Sequence, residues 1–338
     1  MTEAVFPVLG VAFVILFVLP LSALIAKAGL VFLERGEGPL HGLNTKYLLL
    51  TCSSLVPLAW FLSAGLHQIE AGQSTLACIF DHDTTAHCFE PGFFSLSLGS
   101  FVVACLAAAA KHVRGERPAA TFQTGPVFER VNRLLSTRPA LGLLRGNVLV
   151  TKQPGFALGT YGWLKPRILI GAEFAEQLSD DMLASALGHE AEHVRSLDPL
   201  RYLLLELALL VNPVGRWLLK PHAKRWYAAR EAHCDREAVV RGSLPLPLAD
   251  AIVRASRPGV REVVAIGARD VAVVRFRIRM LIAFSERRPA RCCRRGASAI
   301  PAAVMVLFLA LALPHQTGTA ALDAVHTGAE HALFLLLR

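Results

Sequence analysis

The chain has 338 residues, 54% of them hydrophobic and only 18% charged, with a mean hydropathy of +0.46, which excludes a disordered chain and does not suit an ordinary soluble enzyme. The formal net charge of +9 is unevenly placed: residues 1–110 carry 7 acidic and 3 basic side chains, whereas residues 111–295 carry 31 basic and 17 acidic ones. Basic charge beside apolar spans marks the cytoplasmic face of a membrane, and no stacking aromatics are interleaved with it, so direct nucleic-acid binding is not expected.

Four stretches lack any charge over about the width of a bilayer: residues 4–26, 47–66, 93–110 and 297–314. A helix needs about 20 apolar residues to cross, and about 17 at the least. The first stretch has no basic leader and is long for a signal peptide, so it reads as a retained anchor. Arg35 and Lys46, then Lys111, Arg114 and Arg117, then Arg287, Arg288, Arg291, Arg294 and Arg295 flank these stretches and predict cytoplasmic segments. The loop 68–91 has Glu70, Asp81, Asp83 and Glu90 but no Lys or Arg, and is expected outside. The predicted organisation is three transmembrane helices in 1–110, a cytoplasmic-side domain at 111–296, a fourth transmembrane helix at 297–314 and a short extracytoplasmic tail at 315–338. Cys78 and Cys88 share the outside loop with His82 and His87. They read as a disulfide pair, with a small metal site or free thiols as the alternatives.

Within the middle segment, a linker precedes a helix marked by Val127, Phe128, Val131, Leu134 and Leu135. Residues 147–151, 156–161 and 167–171 read as short strands, punctuated by Pro154-Gly155, Gly162 and Pro166. They predict a small sheet whose strand 156–161 holds an extended peptide. Ser179 is a helix N-cap followed by Asp180 and Asp181, which suit the positive end of the helix dipole. The apolar run 202–211 contains Glu206 and is too short to span; Pro213 and Gly215 end it. Pro221 is expected to open the next helix, which runs to about Arg241 with Gly242 as its stop.

His189-Glu190-Ala191-Glu192-His193 places an H-E-x-x-H pattern inside the Ser179-capped helix. Positions i and i+4 share one face, so both imidazoles reach one ion, and Glu190 can act as general base on a water there. Zinc with two histidines needs a third protein ligand and an open position. On the next long helix, Glu231 and Asp235 are again i and i+4: Glu231 suits the ion, and Asp235 suits a ligating imidazole. His233 and Cys234 lie off that face. Tyr161, His222, Tyr227 and His233 are candidate donors to a tetrahedral oxyanion. Asp198 is expected to pair with Arg195 or Arg201.

Pro166-Arg167-Ile168-Leu169-Ile170, then Leu187 to Asp198 around the H-E-x-x-H, then Asn212-Pro213-Val214 with Trp217, and Arg230-Glu231-Ala232-His233-Cys234-Asp235 resemble the integral-membrane metallopeptidases of the BlaR/MecR type. More distantly they are similar to the HtpX and CAAX prenyl protease group. The similarity covers residues 145–241. It implies a zincin-like (gluzincin) fold, and with the four apolar stretches and the small sheet the expected fold class is a mainly α membrane protein with four transmembrane helices and an α+β protease domain. It implies one zinc ion on His189, His193 and Glu231, Glu190 as general base, Asp235 behind a ligand, and a site on the cytoplasmic side of a bacterial inner membrane. Expected partners are the bilayer, a protein or peptide substrate such as the chain itself or a transcriptional repressor, and an extracytoplasmic sensor partner. The tail 315–338 is too short for a penicillin-binding sensor domain, so beta-lactam sensing is not carried over. The alternative from another class is a non-proteolytic membrane signal transducer with a structural zinc site. Cleavage within the membrane is disfavoured by Asp180, Asp181, Glu192, Arg195 and Asp198 on or beside the motif helix.

Overall fold

Strands β1 (Val148–Thr151), β2 (Leu158–Tyr161) and β3 (Arg167–Gly171) form one sheet in the order β1-β3-β2. The computed structural model describes residues 14–36, 40–70, 91–114, 121–257 and 271–286. β1 runs parallel to β3 with Val148 opposite Ile168, and β2 runs antiparallel to β3 with Leu158 opposite Ile170. The central strand is β3, and its Ile168, Leu169 and Ile170 are buried, as a strand covered on both faces requires. Gly171 closes it against the start of β2: a Cβ there would lie 1.8 Å from the Phe156 carbonyl oxygen, so only glycine fits. Among the described residues, β2 is paired on one side only.

The rest is helical: α1 (Leu19–Gly36), α2 (Leu43–Glu70), α3 (Pro91–Arg114), α4 (Pro126–Thr137), α5 (Ala172–Glu176), α6 (Asp180–Arg195), α7 (Asp198–Leu210), α8 (Pro213–Val240), α9 (Pro245–Ala255) and α10 (Val271–Glu286). Helices α1, α2, α3, α7 and α8 enclose one apolar core around Leu19, Leu30, Leu50, Leu98, Leu205 and Trp226. A second core, around Val131, Leu135, Ile168, Ile170, Leu183 and Leu187, lies between the sheet, α4, α6 and α9. α10 closes the end of α8 and α9 through Leu281. The motif helix α6 belongs to the second core and α7 and α8 to the first, so the site forms where the two meet.

Ser179 caps α6, accepting the Met182 N–H at 3.3 Å, and Asp180 and Asp181 pair with Arg130 and Arg138. Twelve α6 residues are buried, from Leu183 to Val194, so this helix runs through the protein rather than along its surface. Leu197 then takes a left-handed conformation, φ 51°, which turns the chain sharply enough for α7 to begin at Asp198.

Helix α8 begins at Pro213, eight residues before the start expected at Pro221, and Pro221 lies in its interior. The cause is Asn212. Its Oδ1 accepts the Gly215 N–H at 2.7 Å, while its Nδ2 donates to the Leu19 carbonyl at 2.7 Å and to Ser54 Oγ at 3.3 Å. One side chain thus caps α8 and ties it to α1 and α2, and Pro213 fills the first helical position, where no N–H is needed.

The expectation of four transmembrane helices is corrected. Among the described residues, one helix, Val14–Arg35, is long and apolar enough to cross a membrane; it has 22 residues and a mean hydropathy of 2.3. The apolar stretch at 47–66 lies in α2, whose Thr51, Ser53 and Ser54 are buried, and Ser54 bonds Asn212. The apolar run in α3 narrows to Leu96–Lys111, too short to count as a span. Residues 297–314, the loop carrying Cys78 and Cys88, and the tail 315–338 lie outside the described residues. The physical reason for the difference is that hydropathy counts apolar side chains without knowing what covers them. Here α2 and α3 pack with α7 and α8 into a shared protein core. The fold is mostly helical with a small three-stranded sheet.

Candidate metal centre

The two motif histidines sit one turn apart on α6, their rings edge to face with centroids 4.7 Å apart. Their Nε2 atoms approach to 3.0 Å. Glu231, on α8, brings its carboxylate to 3.4 Å from His189 Nε2 and 3.6 Å from His193 Nε2. Donors about 2.0–2.1 Å from a tetrahedral zinc lie about 3.3 Å apart, close to the separations of these two imidazole nitrogens from each other and from one or other oxygen of the Glu231 carboxylate. His189, His193 and Glu231 are accordingly a group that can hold a metal ion.

Each imidazole is backed by a buried aspartate. Asp235 Oδ1 lies 2.8 Å from His189 Nδ1, an ion-pair contact. Asp198 Oδ2 lies 2.7 Å from His193 Nδ1, in good hydrogen-bond geometry. A carboxylate on Nδ1 fixes the tautomer that offers Nε2 to the ion and raises its basicity. Asp198 pairs with Arg201 at 3.8 Å, as expected, but its closer partners are His193 and Arg230 Nε at 2.8 Å, so it also supports a metal ligand; Arg195 binds Glu192 and the Ala140 carbonyl. The left-handed turn at Leu197 is what swings Asp198 back beneath His193.

Both aspartates are fully buried and are held ionised by fixed cations. For Asp198, burial opposes the charge, but His193 and Arg230 overcome it and lower its pKa. For Asp235, burial is overcome by Arg277 and His189. Arg277, on α10, grips Asp235 with two bonds of 2.6 and 2.8 Å and puts a third nitrogen 3.2 Å from Glu231 Oε2. Burial likewise opposes ionising Glu231, yet His193, His189 and Arg277 keep its carboxyl far below the usual range. The His189 ring is buried too, which disfavours its cation, but Asp235 and Glu231 raise its pKa to about 10.

Charge counting points the same way. Glu190, Glu231, Asp198 and Asp235 converge on this spot against the guanidiniums of Arg230 and Arg277. With neutral imidazoles that leaves two negative charges, which one divalent cation offsets. Seating such an ion displaces the extra proton from His189, so binding competes with protonation.

Glu190 is next to the first ligand and buried, and its Oε2 accepts a 2.6 Å hydrogen bond from Thr160 Oγ1 on β2. Tyr202 on α7 donates to Glu231 Oε1 at 3.3 Å. Burial, with Asp198 and Glu231 nearby, keeps that phenol protonated, well above its ordinary pKa. These groups line a partly open cavity of about 80 Å³. Its polar wall holds Thr160, His189, Glu190, His193, Glu231 and Arg277, and its apolar wall holds Phe174, Ala186, Leu248 and Ile252.

The four residues anticipated as oxyanion donors do not line this cavity. His222 Nδ1 is 3.0 Å from Glu34 and 2.9 Å from Arg225. Tyr227 is packed in the helical core between Trp226 and Tyr202. Tyr161, next to Thr160 on β2, packs on the opposite face of the sheet with Leu149, Phe156 and Leu169, because strand side chains alternate. His233 lies off the Glu231 face of α8, and burial together with Arg230 lowers its pKa. Cys234 packs behind the site, 3.7 Å from His193 Nδ1 and 3.6 Å from Asp198 Oδ2. His193, Asp198 and Cys234 form a second group of ligand-type atoms. That group is closed: Arg230 already occupies Asp198, and burial raises the thiol pKa well above its ordinary value.

Thr160, Asp198, Tyr202, Arg230 and Arg277 were not assigned to the site from sequence. Asp198 carried one signal, its position five residues after His193 across a helix end. Arg277, one of three arginines in alternating positions of α10, carried none. Compared with protein-family models, curated proteins and solved structures, the chain matches nothing in any of the three.

Proposed function

We propose that the chain is a zinc-dependent endopeptidase of the gluzincin kind, attached to a membrane and cutting a protein substrate. The observation that carries this reading is the convergence of His189 Nε2, His193 Nε2 and the Glu231 carboxylate within 3.0–3.6 Å of one another, with Glu190 beside them on the wall of an open cavity. Two imidazoles and one carboxylate with a position left open are the donor set of catalytic zinc, whereas structural zinc is closed by four protein ligands. His189, His193 and Glu231 would hold the zinc, which would supply Lewis acidity at neutral pH. Glu190 takes a proton from the attacking water and delivers it to the leaving amine. The water oxygen ends on the carbonyl carbon and the C–N bond breaks, and once the second water proton has also passed to the amine the products are a carboxylate and an ammonium. Tyr202 and Arg277 also line the cavity, but their donors are committed to Glu231 and Asp235, so either would have to turn from Glu231 to meet an oxygen gaining charge. The side of β2 that carries no strand among the described residues suits an extended peptide, which would add as a further strand.

Membrane attachment is supported by the helix Val14–Arg35. A bacterial inner-membrane location with the site on the cytoplasmic side is supported by the basic charge of residues 111–295 and by the resemblance of residues 145–241 to BlaR/MecR-type peptidases. The same resemblance favours a cytoplasmic or membrane-proximal substrate, either the chain itself or a transcriptional repressor. The competing reading, a signal transducer with structural zinc, needs a fourth protein ligand. Among the described residues the cluster has three.

The test compares the full chain with its Glu190→Gln form. Both should carry one zinc per chain by metal analysis, and only the parent should generate new protein termini in membranes that express it. Retained cleavage by the variant, or a parent that takes up no zinc, overturns the reading.

A further inference from the structure

We propose that Thr160 is the positioning residue for the general base: its hydroxyl fixes one oxygen of Glu190 and so holds the other toward the reacting water. This rests on the peptidase reading above. Two buried side chains from different elements carry it. Thr160 is 5% exposed, on the strand that borders the cavity; Glu190 is 8% exposed, on the motif helix; and Thr160 Oγ1 donates to Glu190 Oε2 at 2.6 Å. A hydroxyl bonded to an ionised carboxylate makes a short, charge-assisted bond, about twice as strong as a neutral one.

The need for such a bond follows from the chemistry. A glutamate side chain has three rotatable torsions, and two imidazoles, a guanidinium and a phenol line the same cavity as Glu190. Seated on Thr160, Oε2 is occupied, which leaves a single oxygen to accept and return the proton. Strand alternation makes the placement specific. Tyr161, the next residue, packs on the other face of the sheet with Leu149, Phe156 and Leu169, and Thr160 is the β2 residue whose side chain bonds the base. A valine at this site has nearly the same shape without a donor. It would leave the Glu190 carboxylate buried and free to rotate, and misplacing a reacting group by about 1 Å costs up to about 100-fold in rate.

The experiment uses the full chain as Thr160→Val and Thr160→Ser, each with and without Glu190→Gln, in zinc-loaded and metal-free form. Two readouts are taken. Infrared difference spectra between each protein and its Glu190→Gln counterpart isolate the Glu190 carboxylate stretch, which shifts when its hydrogen bond is lost. Steady-state kinetics on a cleaved peptide separate kcat from KM. The expected result is a shifted band and a kcat lowered about 10- to 100-fold in Thr160→Val. KM changes less than about threefold, zinc stoichiometry is unchanged, and Thr160→Ser restores both band and kcat. An unshifted band overturns the proposal, as does a shifted band with unchanged kcat, or a serine variant as impaired as the valine one. A parent that hydrolyses no peptide defeats the peptidase reading instead. The infrared arm then still decides whether Thr160 holds Glu190, a shift supporting that contact and its absence refuting it.

Discussion

Replacing Asp198 by Asn tests whether this aspartate belongs to the metal centre or to the helix surface. Its Oδ2 accepts from His193 Nδ1 at 2.7 Å and from Arg230 Nε at 2.8 Å, and the side chain is fully buried. The amide keeps the shape and removes the charge. Two losses follow. The His193 ring loses the carboxylate that fixes its tautomer and strengthens it as a donor, and changes at such a partner weaken metal binding about 10- to 100-fold, or about 1.4–2.7 kcal/mol. Arg230, nearly as buried, keeps its charge with no counterion, and breaking a buried pair on one side costs about 3–5 kcal/mol. Were Asp198 only a surface partner of Arg195 or Arg201, the variant would lose less than about 1 kcal/mol and bind metal as before. The assay is a competitive zinc titration against a fluorescent chelator, run beside thermal melts of the metal-free protein. Zinc affinity within about threefold of the parent, with an unmoved melting temperature, would refute the reasoning.

Two further outcomes follow from the same geometry. In the metal-free protein the His189 pKa is raised from 6.5 to about 10, so the stability contributed by its cation is complete below pH 6.5 and disappears as pH climbs through about 10. Melts of chelator-treated protein should therefore fall steeply between pH 7 and 10 while those of the zinc-loaded protein do not; parallel profiles would contradict it. Leu197 sits at φ 51°, where an L residue is disfavoured by about 1–2 kcal/mol, and it is 40% exposed. Leu197→Gly should match or exceed the parent in melting temperature, and Leu197→Val should fall below it by the equivalent of about 1 kcal/mol; equal values for Val and Leu would remove the case for a strained turn.

Local features of this chain were legible because they depend on neighbours in sequence. The Ser179 cap, the strand breaks at Pro154-Gly155 and Gly162, and the i, i+4 pairs His189/His193 and Glu231/Asp235 all follow from helix and strand periodicity, which places side chains on faces without reference to the rest of the fold. What periodicity could not supply is the partner each face meets. The apolar stretches of α2 and α3 looked like membrane spans because composition measures greasiness, and only packing reveals that α7 and α8 lie against them. Asn212 reads as a loop residue until the Leu19 carbonyl and Ser54 are brought beside it, and Asp198 reads as a surface acid until the turn at Leu197 folds it under His193. Arg277 lies more than 40 residues beyond Asp235 and has no local pattern at all. It enters the centre because a buried carboxylate pair needs a counter-charge, and only the tertiary arrangement determines which cation comes close enough to provide it.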